Sequence, residues 1–201
     1  MASDVRHLFE DSRRRTPEHV LAMAREVMGE IDLDPASDVE AQERVKATHW
    51  HGHNPTDVLP NGWLSSDGLV TQWHGRVWLN PPGGMLDKVT LQPKKGGKAV
   101  SSMAVWWAKL LHEFEAGRVS EFLFLSFTLE GLLNTQKWGP RPLQSFPFCV
   151  PSNRLEFSSS NGRNTSQPAA GSAIAYAGPN VARFVQVFSR IGHVCVPERQ
   201  Q

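Results

Sequence analysis

The sequence has few cysteines, no long hydrophobic run and almost no net charge, and each shortage excludes a class of protein. Its 201 residues include 2 cysteines, Cys149 and Cys195, which stand alone and lack metal-ligand spacing. A disulfide framework is therefore not expected. No apolar run approaches the roughly 20 residues of a membrane span, and the polar start is not typical of a signal peptide. We expect a cytoplasmic protein.

Charge and length limit the partners and the architecture. The formal net charge is +1, so there is no overall basic field, and any attraction to DNA must come from local patches. The length predicts one domain and leaves no room for a separate target-recognition domain. We expect a flexible N-terminal arm at 1–15, a single domain at 16–196 and a disordered tail at 197–201.

The most unusual local chemistry lies at residues 73–84. Residues 76–79 predict a short buried strand, which ends at Asn80-Pro81-Pro82. Each proline fixes its own φ, lacks an N–H and restricts the residue before it, so this turn is stiff. It holds the Asn80 side chain and the Asn80 and Pro81 carbonyls in fixed directions. Such acceptors suit a ligand that offers two hydrogens from one nitrogen, for example an exocyclic amino group.

The chain before this turn predicts a helix and a strand that lead to polar residues. Thr16-Pro17-Glu18 is a typical helix start with Thr16 as the N-cap, and Gly29 ends the helix. Residues 30–34 alternate like a strand, place Asp32 and Asp34 near its carboxyl end and run into Pro35 and Ala36. That end of a strand is where α/β sheets bind ligands.

The remaining patterns complete the prediction of an α/β fold. Residues 83–101 have no hydrophobic period and predict a mobile surface loop, whereas Trp106 and Trp107 belong to a clear helix and are expected in the core. We predict a compact Rossmann-like sandwich, with a mostly parallel sheet and antiparallel strands towards the C-terminus. The other predicted helices are 39–48 and 129–136. The other predicted strands are 121–127, 146–151 paired with 154–157, and an edge strand at 192–196, with strand-like or mixed elements at 172–177 and 184–188.

Several motifs resemble those of the phage-type, Dam-like DNA N6-adenine methyltransferases. Asn80-Pro81-Pro82 is similar to the catalytic tetrapeptide of that family, and upstream motifs at Thr16-Pro17, 32–38, 67–69 and 73–79 occur in its order and rough spacing. The resemblance covers about residues 16–84. It implies a Rossmann-like methyltransferase that uses S-adenosylmethionine to methylate DNA. It also implies catalytic roles for Asn80, Pro81 and Pro82 and cofactor contacts from Thr16, Pro17, Asp32, Asp34, Pro35 and Ala36.

One position departs from the family pattern. Gly83 stands where the family carries an aromatic residue that stacks on the extruded base, so another ring is needed, with Trp78, Phe127 and Trp50 as candidates. DNA contacts are expected from Trp78, Gly83 and Gly84. A basic glycine-rich segment that leaves from the same turn is expected to grip phosphates through Lys94, Lys95 and Lys98.

Two further points stay open at this stage. His49, His51 and His53 would share one face of an extended segment, but ligands so close together on one strand cannot easily surround an ion, so no metal site is expected. A base-hypermodification transferase with another donor is one alternative, which Gly83 favours. A non-catalytic DNA-binding relic is the other, and the intact Asn80-Pro81-Pro82 disfavours it.

Overall fold

A computed structural model describes residues 15–52, 67–92, 99–129, 132, 141–157 and 171–198. The helices in these ranges are α1 (Glu18–Met28), α2 (Val39–Val45), α3 (Ser102–Glu115) and α4 (Val181–Phe188), with a 3-10 turn at Leu143–Ser145. The strands are β1 (Leu33–Ser37), β2 (His49–Gly52), β3 (Gly75–Leu79), β4 (Met85–Asp87), β5 (Ala99–Ser101), β6 (Val119–Ser126), β7 (Phe148–Pro151), β8 (Ala173–Ala177) and β9 (Gly192–Cys195). No helix in the described part of the chain is long and apolar enough to cross a membrane.

Seven strands form one sheet in the order β2-β1-β3-β6-β8-β7-β9. Strand β1 is parallel to β2 and β3, and β3 is parallel to β6. The pairs β6–β8, β8–β7 and β7–β9 are antiparallel. Five strands therefore run in one direction, and the two reversed strands, β8 and β9, come late in the chain. This confirms the predicted Rossmann-like α/β fold with antiparallel strands towards the C-terminus.

Helices cover both faces of this sheet, because side chains alternate along each central strand. Trp78 and Leu123 point towards α1 and α4, while Val77 and Phe122 point towards α3. Trp107 of α3 is fully buried and makes edge contacts with rings of the second group. The predicted core role of Trp106 and Trp107 is thus confirmed.

Two strand predictions are wrong in detail near the site. Strand β1 does not end at Asp34 but continues through Pro35 to Ser37. Its register with β2 is irregular between Asp34 and Ser37, which accommodates a residue that cannot donate a ladder hydrogen bond. Residues 83–101, predicted as loop, contain the antiparallel pair β4–β5, which is too short to show a hydrophobic period.

The C-terminal predictions need two further corrections. Residues 184–188 belong to helix α4, in which Phe184, Val187 and Phe188 are buried at helical spacing. The β-branched and aromatic composition had indicated a strand. Residues 154–157 form no strand, and β7 pairs with β8 and β9 instead. Most of the predicted helix at 129–136 lies outside the described residues.

The turn that contains Gly68 braces strand β1 from the side of α3. Trp73 donates from Nε1 to the Gly68 carbonyl at 2.7 Å, and Asp67 Oδ1 accepts the Leu69 N–H at 2.9 Å. A Cβ atom on Gly68 would lie 1.9 Å from the Pro35 carbonyl oxygen. Backbone therefore packs directly on backbone here, and only glycine fits.

We predict that Gly68→Ala destabilises the protein by about 1–3 kcal/mol, because the added methyl group must displace the Pro35 backbone. Chemical denaturation would measure the free energy of unfolding. Val70→Ala is the matched control, since Val70 is 76% exposed in the same turn and its loss should be nearly neutral. Equal stability of the two variants would refute this account of the turn.

Candidate active site

The order of the parallel strands creates a natural ligand site. The chain leaves β1 towards β2 on one side, and later places β3 on the other side of β1. The carboxyl ends of β1 and β3 therefore flank a topological switch point, where open α/β sheets bind ligands. A cleft with about 650 Å³ of empty space, counted to its open mouth, lies at this point.

Residues from five segments line this cleft. The polar groups come from the segment before α1, from the ends of β1 and β3 and from Arg44 of α2, while α1 and α2 also supply apolar side chains. Of the residues predicted from sequence, the structure brings together Thr16, Asp34, Ala36, Trp78, Asn80, Pro81 and Pro82. The lining also includes residues that were not predicted: Arg15, Leu21, Asp38, Ala41, Arg44 and Val45.

Other predicted site residues lie elsewhere. Pro17 lines a separate groove beside β7, and Pro35 is buried under the Gly68 turn. Gly84 is exposed, and its carbonyl accepts the Ser102 N–H. Lys94, Lys95, Lys98 and His53 lie outside the described residues. The prediction of Trp78 as a DNA-contacting surface residue does not match its placement, because only 1% of it is exposed and it faces the cleft from inside.

Asp32 was grouped with Asp34 as a cofactor residue, but the structure gives it a different environment. It accepts hydrogen bonds from Arg76 N, Nε and Nη2 at 2.7–2.8 Å. A Cβ on Gly75 would lie 2.6 Å from Asp32 Oδ2. Asp32 lies just before β1, and its carboxylate points towards the amino end of β3, where Arg76 lies. The Arg76 guanidinium lowers the pKa of Asp32, so this carboxylate stabilises the fold rather than the cleft.

Thr16 and Asn80 are joined across the cleft. Asn80 Nδ2 donates to Thr16 Oγ1 at 3.2 Å, over 64 residues of sequence. Thr16 was predicted to cap α1, yet the residue before this helix is Pro17 and no side chain caps it. The Thr16 hydroxyl therefore bonds to Asn80 in the cleft and does not cap the helix. Because the amide nitrogen of Asn80 points to Thr16, its oxygen is the opposite, accepting end of the group.

Asp34 is a buried acid at the carboxyl edge of β1. It is 3% exposed, and burial raises its pKa to about 7, although hydrogen bonds from Ser37, Ala36 and Gln42 favour the charged form. Ala36 N donates to Asp34 Oδ1 at 3.3 Å, and Gln42 Nε2 donates to Asp34 Oδ2 at 3.0 Å. An acid whose charge is poised near neutral pH in a cleft is typical of a ligand-binding group.

Gln42 holds Asp34 in place, although the sequence did not single it out. Its Nε2 also contacts Ser37 Oγ at 2.7 Å, and its Oε1 accepts the Ala47 N–H at 2.9 Å. The Ala47 contact fixes which end of the amide faces Asp34, so Gln42 orients that carboxylate. The sequence signal available was its place, one turn inside a helix that starts right after β1.

Phe127 lies beside the turn at Asn80. It follows β6, the parallel neighbour of β3, and its ring lines the cleft. A Cβ on Gly83 would lie 3.2 Å from Phe127 Cζ. The ring thus packs against the position where a side chain of residue 83 would begin.

No protein-family model matches the chain, and no curated protein matches it. Among solved structures, one from Listeria monocytogenes, provisionally assigned as a class I S-adenosylmethionine-dependent methyltransferase, is similar with a TM-score of 0.43 and 14% sequence identity. The match covers 81% of this chain and 59% of that one. The chain therefore spans less than two thirds of that protein's length, and a likeness of this degree identifies neither ligand nor substrate.

We predict that the effect of Asp34→Asn on stability depends on pH between 5 and 8, whereas the effect of Asp32→Asn does not. The folded-state pKa of Asp34 is raised to about 7. The free energy of unfolding of the wild type therefore falls as the pH rises towards 7. Between pH 5 and 8 the stability of Asp34→Asn relative to wild type should therefore rise by roughly 2–3 kcal/mol.

The matched control, Asp32→Asn, should be destabilised by a nearly constant amount over the same range. Its folded-state pKa is lowered, so the pH-dependent part of its contribution is lost only in acid, below that range. Denaturant titrations of the three proteins at pH 5, 6, 7 and 8 would measure both trends. Parallel curves for wild type and Asp34→Asn would contradict the buried, poised carboxyl.

Proposed function

We propose that this protein is an S-adenosylmethionine-dependent DNA adenine-N6 methyltransferase of the phage type. The observation that carries the proposal is the shared cleft of Asn80-Pro81-Pro82 with Thr16, Asp34 and Ala36. These are the residues to which the family resemblance assigns the catalytic and cofactor roles, and they meet at the switch point of the sheet.

The chemistry of the cleft fits the methyl donor. Asp34, with Gln42 holding it in place, would bind an ammonium group or a ribose hydroxyl. The apolar wall from Leu21 and Val45 would pack on the adenosine part. A buried guanidinium N–H of Arg15 that lacks a partner among the described residues is a further donor for a polar ligand. When bound, S-adenosylmethionine supplies a methyl group on a positively charged sulfur.

Asn80 and Pro81 would activate the substrate nitrogen. Adenine N6 is a weak nucleophile because its lone pair is delocalised into the ring. The Asn80 Oδ1 and the Pro81 carbonyl would accept the two amino hydrogens and favour the pyramidal, more nucleophilic nitrogen. Thr16 keeps the Asn80 oxygen turned away from itself, and the two prolines offer no competing N–H. Because the methyl group is already electrophilic, positioning contributes more than a strong base.

The target base must reach this cleft from outside the stack. An amino group inside a duplex is inaccessible to the side chains of a cleft, so the base is flipped out or presented in a single strand. Phe127 would then stack on it, in the role for which residue 83 is aromatic in the family. The missing aromatic residue at Gly83 was the argument for a hypermodification transferase with another donor. A Phe127 ring beside Gly83 would weaken that argument. Lys94, Lys95 and Lys98 would contact phosphates.

We predict that Asn80→Ala lowers turnover at least about 100-fold while the affinity for S-adenosylhomocysteine changes less than about threefold, because Asn80 acts on the substrate nitrogen. Mass spectrometry of nucleosides from DNA incubated with protein and S-adenosylmethionine would quantify N6-methyladenine, and calorimetry would measure the affinity. Asn80→Asp, which keeps an acceptor oxygen, is the control and should retain part of the activity. If wild type modifies no DNA and binds no donor, the proposed function is wrong.

We predict that Phe127→Ala raises the KM for DNA or lowers kcat by about 10- to 100-fold, since one stacked base is worth roughly 1–3 kcal/mol. Phe127→Trp should keep most of the activity. Gly83→Phe alone should be impaired, because its side chain would begin in contact with the Phe127 ring.

The double variant Gly83→Phe with Phe127→Ala tests the exchange directly. It places the aromatic ring at residue 83 instead of residue 127, and it should be more active than Phe127→Ala. Melting temperatures of all four variants separate loss of function from loss of folding. A double variant no better than Phe127→Ala, with a normal melting temperature, would argue against equivalent roles for the two positions.

A further inference from the structure

Arg15 is a buried cation in the wall of the cleft, although the sequence placed it at the end of a flexible arm. Its side chain is 6% exposed and it directly precedes Thr16. Nη2 forms an ion pair with Glu40 and lies 3.9 Å from Asp38 Oδ1. The pairing with the helix α2 region anchors the guanidinium at the site.

One donor of this guanidinium is left over. Arg15 Nε is buried and has no hydrogen-bond partner among the described residues. The two other buried atoms in this condition are the hydroxyls of Ser102 and Ser172, which are neutral and can rotate. A charged donor with a fixed direction is costlier to leave unsatisfied, and such a group calls for a specific partner. Arg15 lines the cleft, so a ligand in the cleft can supply the acceptor.

We propose that Arg15 Nε binds the carboxylate of the amino-acid part of the methyl donor, an inference that rests on the proposed function. The donor offers three kinds of acceptor: ring nitrogens, hydroxyls and a carboxylate. Only the carboxylate matches a guanidinium in charge as well as in hydrogen bonding, and such charge-assisted bonds are about twice as strong as neutral ones.

The charges of the cleft agree with this assignment. Two acids, Asp34 and Asp38, and two arginines, Arg15 and Arg44, line it. Both signs are needed to hold a zwitterionic amino-acid group, whose ammonium would be bound by Asp34. Glu40 does not exclude a second carboxylate near Arg15, because its side chain is 56% exposed and hydrated, which weakens the repulsion.

The test compares two ligands that differ only in this group. S-adenosylmethionine and its decarboxylated form share the sulfonium, the ammonium and the adenosine. Calorimetric titration should show that wild type prefers the carboxylated ligand by about 10- to 100-fold. Arg15→Lys keeps the charge and can still pair with Glu40, but it has no donor in the place of Nε. This variant should lose most of the preference, through weaker binding of S-adenosylmethionine alone.

Two controls decide between the outcomes. Glu40→Gln removes the ion pair but leaves Nε, so it should keep the preference. Melting temperatures report whether Arg15→Lys folds, and Arg15→Gln is a second variant if it does not. Equal weakening of both ligands, or a preference that persists in Arg15→Lys, would overturn the proposal while S-adenosylmethionine binding still supports the proposed function. A wild type that binds neither ligand would overturn both.

Discussion

The hydrogen bond from Asn80 Nδ2 to Thr16 Oγ1 is the contact on which the site depends. It spans 64 residues and ties the segment before α1 to the turn after β3, so it forms only when the sheet and the α1 layer are both in place. Pro81 and Pro82 hold the turn from one side, and Thr16 orients the amide from the other. An asparagine in a mobile loop would expose both ends of its amide to water, whereas here one end is assigned.

Other contacts hold the carboxyl edge of β1 in the same way. The Gly68 turn packs its backbone on Pro35, and Trp73 holds that turn by a hydrogen bond to the Gly68 carbonyl. Below Asp34, Gln42 is held in one orientation by Ala47. The carboxyl group therefore cannot relieve its burial by moving, and its pKa of about 7 reflects that constraint. The buried carboxyl group therefore lowers folding stability as the pH rises towards neutral.

The fold could be predicted from sequence where one residue pattern has one physical outcome. Stiff prolines after a buried strand, a helix that ends at Gly29 and the apolar run at 121–127 all behaved as expected. The failures at the site mostly concern residues whose role is set by distant partners. Asp32 and Asp34 are two residues apart, but Asp32 pairs with Arg76, whereas Asp34 is buried at the cleft. Thr16 and Arg15 likewise gain their roles from segments that are distant in sequence, whereas the contacts that place Gln42 are local.

The aromatic residue that the family motif carries is missing at Gly83, and Phe127 can be understood as its replacement. Gly83 lacks the aromatic side chain of the family motif, but it lies against the ring of Phe127, which follows the neighbouring parallel strand β6. Neighbouring parallel strands deliver their carboxyl ends to the same edge, so an aromatic side chain can come from either β3 or β6 and still face one cleft. Two large side chains would compete for the same space, because a Cβ on residue 83 would lie 3.2 Å from Phe127 Cζ. A glycine at residue 83 is then the condition for a phenylalanine at 127, and the two residues are expected to vary together.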